Sequence, residues 1–332
     1  MRWTRKALSP ARGGAESTET HGTAYPGRIF LDRVQSRSPF LLENDRDYER
    51  WRALKLQNYP DNVDQLIVDV SDPAHPSPEE REALGSRCRK TNMAIYRTSG
   101  TQDKDSIRAL ATRLGLRRLV NNPLSDEDGI TTLEVNADKV ARGYIPYSDK
   151  RLLWHTDGYY NSPETRIGAF ILHCVRPADQ GGDNQLLDPE MVYLRMRDAN
   201  PDYVRALMAP DALGIPARIE SGVEARSANI GPVFIVDGAT GNLGMRYTAR
   251  TRSIFWKRDR VTEAAVTMLA VLIANDGPDV FRYRLRAGEG IVCNNVLHNR
   301  SAFTHATGRR LLYRARYYDR IADASPRSAG IH

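Results

Sequence analysis

Residues 309–319 read RRLLYRARYYD. Taken as a β-strand, successive side chains point to opposite faces. Arg310, Leu312, Arg314, Arg316 and Tyr318 then share one face, and Leu311, Tyr313, Ala315 and Tyr317 share the other. A row of arginines on a strand deep in a β domain needs anions opposite it, because an unpaired buried guanidinium is costly. Arginine suits a carboxylate, since its planar fork makes two parallel bonds. The competing reading is an exposed strand face with its arginines in water.

Working outward, the chain after residue 116 is mostly strand. ITTLEVN, RIGAFILHCV, VFIVDG, GNLGMRY, VFRYRLR and GIVCNNVLH all read as strands, with DGATGN a hairpin turn between two of them. RIGAFILHCV is nearly all apolar and is expected to be a central strand. Helices are expected after Asp188-Pro189-Glu190, after Asn200-Pro201 and from Thr262. Upstream, Ser77, Pro78 and Glu80 form a capping box that starts a helix. Ile107, Leu110 and Leu114 line one face of another, with Gly115 as its stop. Many short strands with flanking helices predict a mainly β (α+β) fold, a barrel or jelly roll with helices packed outside.

The chain has 332 residues, 41% hydrophobic and 27% charged, as expected of a globular protein able to bury a sizeable core. Residues 1–24 read as a disordered basic tail, 25–75 as an extension packed on the core, 76–322 as the main domain and 323–332 as a tail. Leu42, Tyr48, Trp51 and Leu54 have roughly helical spacing in the extension. No apolar run is long enough for a membrane span, and the start lacks the apolar core of a secretory signal. Three widely spaced cysteines without a C-x-x-C pair fit a reducing, cytoplasmic setting and argue against a thiolate zinc site. The net charge of +7 owes part of its excess to the N-terminal tail. No nucleic-acid motif accompanies it, so nucleic acid is not the expected partner.

Chemistry concentrates at LLWHTDGYYN, residues 152–161. On an extended segment His155 and Asp157 share one face. His298, on a strand running through Val292, Asn294 and Val296, supplies a third ligand on the same side. Two histidines and one carboxylate with open positions suit a non-haem Fe(II) oxygenase. Arg310 follows His298 by one hairpin, so a carboxylate it holds can reach the metal. His173 and His305 are expected to be a packed strand histidine and a loop histidine.

The order WHTD, GGDN, LHNRSAF and RRLLYR, over about residues 90–320, resembles the taurine/2,4-dichlorophenoxyacetate dioxygenase (TauD/TfdA) family. The trimethyllysine and γ-butyrobetaine hydroxylases share similar motifs. The resemblance implies a double-stranded β-helix (jelly roll) core and a dioxygenase of EC 1.14.11 type. Its cofactors are Fe(II) and 2-oxoglutarate, with O2 as co-substrate. It makes His155, Asp157 and His298 the iron ligands and Arg310 the partner of the distal carboxylate of 2-oxoglutarate. Arg314 falls near substrate or cofactor. Asn184 replaces the threonine of the family's GGDT and can donate a similar bond. His298-Asn299-Arg300 replaces the frequent HGR. Tyr159 and Tyr160, and more weakly Arg246 and Tyr247, are the substrate-pocket candidates. Arg314 and Arg316 favour an anionic group on a small polar substrate. The competing classes are a zinc hydrolase using the same triad, which leaves the arginine row unexplained, and a binding protein on the same scaffold, which predicts a lost ligand although all three are present.

Overall fold

A computed structural model describes residues 38–121, 125–141, 143–220, 222–252, 254–274, 277–304 and 309–321. The two expected tails and His305 lie outside these residues.

Ten strands form the two sheets that matter for the site. In chain order they are β1 (Ile67–Asp69), β2 (Met93–Arg97), β3 (Thr131–Leu133), β4 (Leu152–His155), β5 (Ala169–Arg176), β6 (Asn184–Leu187), β7 (Val280–Tyr283), β8 (Glu289–Cys293), β9 (Leu297–Arg300) and β10 (Leu311–Tyr317). The larger sheet runs β1-β2-β8-β5-β10-β3 and the smaller β7-β6-β9-β4. Only the β1–β2 pairing is parallel in them. RIGAFILHCV gives β5, a central strand flanked by β8 and β10.

The two-residue period sorts side chains into layers. Phe170 and Cys174 of β5, Ile291 and Cys293 of β8, and Leu312 of β10 pack with Leu186 and Phe281 of the smaller sheet. This is the space between the sheets. Ala169, Ile171, Val292, Ala315 and Tyr317 point the other way and pack under two helices, α1 (Pro78–Thr91) and α2 (Lys104–Arg113), through Leu84, Cys88, Ile107 and Leu110. The expected capping box of Ser77 and Glu80 is formed. On the far side of the smaller sheet, Trp154, Leu187 and Leu297 pack against α3 (Pro189–Ala199), α4 (Pro201–Met208) and α5 (Arg260–Ala274). β-hairpin Phe234–Val236/Leu243–Met245, closed by the DGATGN turn, joins that layer.

Two expectations need correction. The strand through Val292, Asn294 and Val296 is broken. Asn295 takes a left-handed conformation, φ 51°, and the chain passes there from the larger sheet (β8) to the smaller one (β9). Val292 therefore faces the helices while Val296 lies between the sheets. Likewise β9 and β10 are not one hairpin: they belong to opposed sheets. His298 and the arginine row thus face each other across the gap.

The extension also differs in detail. Helix Asp45–Leu56 buries Tyr48 and Lys55, whereas Leu54 is 59% exposed. The lysine displaces the leucine because Asp188 and Glu190 await it at 2.6 and 2.7 Å. Phe40 and Tyr48 join the core under Tyr193.

Candidate metal centre

His155 ends β4 and His298 sits on β9 directly opposite it in the antiparallel register. Their rings lie 4.2 Å apart, centroid to centroid. Each ring is oriented by its own backbone: His155 Nδ1 lies 2.8 Å from the Leu153 carbonyl, and His298 Nδ1 lies 2.9 Å from that of Val296. A carbonyl can only accept, so each Nδ1 carries the proton and each Nε2 keeps its lone pair free. Asp157 completes the group, with one ligand atom from each of the three residues all within 4.8 Å of one another.

Asp157 is set by a turn rather than by the strand. Its backbone N–H donates to Asn295 Oδ1 at 2.8 Å, and Asn295 Nδ2 donates back to the Asp157 carbonyl at 2.9 Å and to Ile167 at 3.0 Å. Gly158 follows at φ +65°, where a Cβ would come within 2.6 Å of Ile167, so only glycine fits this turn. Asn295 thus both breaks the strand and clamps the carboxylate's backbone. The sequence signal was the repeated amide in CNNV, which propensity reads simply as a turn.

Charge at the group is one-sided. Burial opposes ionisation of Asp157, but Arg314 Nη1 at 3.4 Å, helped by His155 and Arg316, holds its carboxyl well below the usual range. Burial pushes His298 down to about 3, with His155 adding to the effect. The group therefore offers neutral imidazole and charged carboxylate, the forms a divalent metal binds. Asp157 Oδ2 is buried and makes no hydrogen bond.

The family profile described as Taurine catabolism dioxygenase TauD, TfdA family matches residues 55–316. The chain belongs to the TauD/TfdA family. A uridine-5'-phosphate dioxygenase from Streptomyces sp is 32% identical over 168 residues, 49% of this chain and 60% of that protein. One from Amycolatopsis sp is 36% identical over 96 residues, 29% of this chain and 33% of that protein. The chain's matches thus span 60% or less of these relatives' lengths. Among solved structures, a putative alpha-ketoglutarate-dependent taurine dioxygenase from Burkholderia xenovorans superposes with a TM-score of 0.53 at 17% identity, over 76% of this chain and 86% of that one. That likeness shows a shared β-rich fold.

The arginine row of this TauD/TfdA chain lies on the inner face, as the alternation of RRLLYRARYYD predicts. Arg310 and Arg316 are buried, and Arg314 is nearly so. Arg310 makes no hydrogen bond or ion pair among the described residues; its guanidinium lies over the Phe303 ring at 5.0 Å. Burial lowers it to about 10, so it stays charged at neutral pH. Gly182 lies against it: a Cβ there would come 3.4 Å from Arg310 Nε. Two residues on, Asn184 is buried with its Nδ2 unpartnered. The glycine pair at φ 71° and 76° carries the chain round to β6, where Asn184 pairs with Arg300 on β9. The Nη atoms of Arg300 donate to the carbonyls of Ser148, Lys150 and Pro146, while its buried Nε has no partner.

Two pocket candidates turn out to be structural. Arg246 donates to the carbonyls of Tyr159, Leu213, Asn229, Gly231 and Pro232, so no donor is left for a substrate. Tyr247 is packed in the core beside Trp256. Their segment instead props up the ligand strand: Thr156 N–H donates to the Tyr247 carbonyl at 3.0 Å, and Thr248 bridges His155. Tyr159 and Tyr160 are half-buried and meet edge to face at 5.1 Å. His173 lies in the helix-facing layer, with Nδ1 at Tyr96 Oη (2.9 Å) and Nε2 accepting from Gln102 N–H (3.1 Å).

Proposed function

We propose that the chain is an Fe(II)- and 2-oxoglutarate-dependent dioxygenase that hydroxylates a small anionic molecule, with succinate and CO2 as co-products. His155, Asp157 and His298 hold the iron through two imidazole Nε2 atoms and one carboxylate. The observation that carries the reading is the conjunction of two unfilled features facing each other between the two sheets. One is a three-ligand group with its imidazole lone pairs free and a carboxylate oxygen that makes no hydrogen bond. The other is a buried cation, Arg310, with no anion among the described residues, lying against Gly182, two residues before the unpartnered Asn184 amide. A keto acid with a second carboxylate fits both, one end at the metal and the other on Arg310 and Asn184. The two sheets are inferred to be the halves of a double-stranded β-helix.

Iron with 2-oxoglutarate supplies the O2-activating chemistry, inserting one oxygen atom into a C–H bond and the other into succinate. The protein's own part is placement. The carbonyls of Leu153 and Val296 fix the ring tautomers, and Asn295 fixes the carboxylate. Arg314 keeps Asp157 ionised and so is committed chiefly to the ligand, rather than to the 2-oxoglutarate contact expected from the sequence. Three protein ligands, with no fourth among the described residues, leave positions for the keto acid and O2. The zinc-hydrolase reading leaves Arg310 without a role, and the binding-protein reading leaves the intact metal-ligand group unused. The relatives named uridine-5'-phosphate dioxygenase make a nucleoside monophosphate the first substrate to try.

The test is turnover. Purified protein with Fe(II), 2-oxoglutarate and O2 is expected to release succinate, faster with uridine 5′-phosphate present, and His155→Ala is expected to release none above the protein-free rate. Equal succinate from His155→Ala and the parent contradicts the assignment.

A further inference from the structure

We propose that Arg316, together with Arg226 over the Tyr160 ring, anchors the anionic end of the substrate, and that this end is a phosphate-type dianion. The inference rests on the oxygenase reading and extends it to the substrate.

Three guanidiniums, Arg310, Arg314 and Arg316, line the inner face of β10. Against burial, Asp157 is the leading charge raising Arg316, and it already pairs with Arg314 at 3.4 Å. Fe(II) and doubly ionised 2-oxoglutarate cancel in charge. The loaded site therefore retains two positive charges, which matches a phosphate monoester better than a monoanion. Arg310 is spoken for by 2-oxoglutarate and Arg314 by Asp157. That leaves Arg316, buried and without an ion pair among the described residues.

What lies around Arg316 suits such a group. Tyr160 is among the groups whose negative end raises the Arg316 guanidinium, so the two are neighbours. Tyr160 is three residues past Asp157 and stacks edge to face on Tyr159. The Arg226 guanidinium lies over the same ring, 5.5 Å from the Tyr160 centroid. Arg226 belongs to the hairpin Arg218–Glu220/Val223–Arg226. It is held by the carbonyls of Pro216 and Ser227, neither of which neutralises it. A second arginine of that hairpin, Arg218, lies over Tyr144 at 4.5 Å. Glu224, the hairpin's described acid nearest Arg226 in sequence, is turned to the Ser227 hydroxyl. Arginine and tyrosine thus alternate from the metal group to the hairpin. Guanidinium forks bind phosphate oxygens in pairs, and the tyrosine faces can carry an attached ring.

The experiment is anaerobic titration calorimetry of the Fe(II)- and 2-oxoglutarate-loaded protein with uridine 5′-phosphate, uridine and inorganic phosphate. The parent is expected to bind uridine 5′-phosphate about 10- to 100-fold tighter than uridine, the range for losing charge-assisted bonds. Arg316→Ala should erase that preference, and Arg316→Lys should restore part of it. Arg226→Ala should lose about 3- to 10-fold, as for a partly exposed cation. The visible band of the iron–keto acid chelate serves as the control that each variant keeps its cofactors. Equal binding of uridine and uridine 5′-phosphate by the parent, or parental affinity for the phosphate in Arg316→Ala, overturns the anchor. So does a parent that shows the band yet binds neither phosphate compound, and that result leaves the oxygenase reading standing. A parent with no band fails the oxygenase reading itself, and with it the anchor.

Discussion

Arg246 and Arg310 look alike on burial. Both guanidiniums are buried, and burial lowers both to about 10. At Arg246 five backbone carbonyls meet the donors. At Arg310 no acceptor among the described residues does. The first is a cross-brace that ties the loops near residues 159, 213 and 231 together. The second, on the reading proposed above, is a charge kept for a ligand. Burial of a charge therefore does not mark a site; unused donors on a buried charge do.

The contrast can be broken most forcefully at Arg310. Replacing it with Ala is expected to weaken 2-oxoglutarate binding by about 100-fold or more, because one partner of a buried charge pair is removed. Its unfolding free energy should fall less than that of Arg246→Ala, since among the described residues only the contact with the Phe303 ring is lost. Parental 2-oxoglutarate affinity in this variant removes the assigned role. The complementary change, Arg246→Ala, leaves five carbonyls short of a donor and should cost about 2–4 kcal/mol in urea unfolding. Its folded fraction should keep the parent's 2-oxoglutarate affinity. Arg246→Lys should rescue little, because one ammonium cannot reach five acceptors.

A smaller effect is expected at Asn295. Asn295→Ala should lose about 1–3 kcal/mol from the unpaired groups and weaken Fe(II) binding about tenfold through the displaced Asp157. Stability loss with unchanged Fe(II) affinity separates the strand break from the clamp.

The histidines repeat the comparison at the smallest scale. His173 has both ring nitrogens engaged, whereas His298 keeps one free. Burial lowers His173 to about 4 from 6.5 and His298 to about 3. The unfolded chain therefore binds more protons in this range, and stability should fall as pH drops from about 6.5 towards 4. Urea midpoints measured across that window should show the slope, and His173→Phe should flatten it in part. An unchanged slope in that variant would remove His173 from the account.

How much the sequence disclosed depends on how far each partner lies along the chain. His155 and Asp157 were legible from their two-residue spacing, although a turn rather than the strand sets Asp157. The arginine row was legible from the same spacing. What the sequence hid was set by backbone partners far away. Arg246 reads as a pocket residue because its acceptors are carbonyls, which carry no sequence signature. The passage of the chain between sheets at Asn295 hangs on one left-handed residue, which no periodicity reports. Lys55 takes a buried position because Asp188 and Glu190, more than a hundred residues on, make it favourable. The facing of His298 and Arg310 was anticipated, but through a hairpin; two opposed sheets bring it about instead.

The most direct test of the central claim is the visible absorption of the anaerobic protein titrated with Fe(II) and then 2-oxoglutarate. The account predicts a charge-transfer band that saturates with one equivalent of iron in the parent. The band should be absent in His298→Ala, and in Arg310→Ala it should appear only at much higher 2-oxoglutarate. A band of parental strength and midpoint in both variants would contradict it.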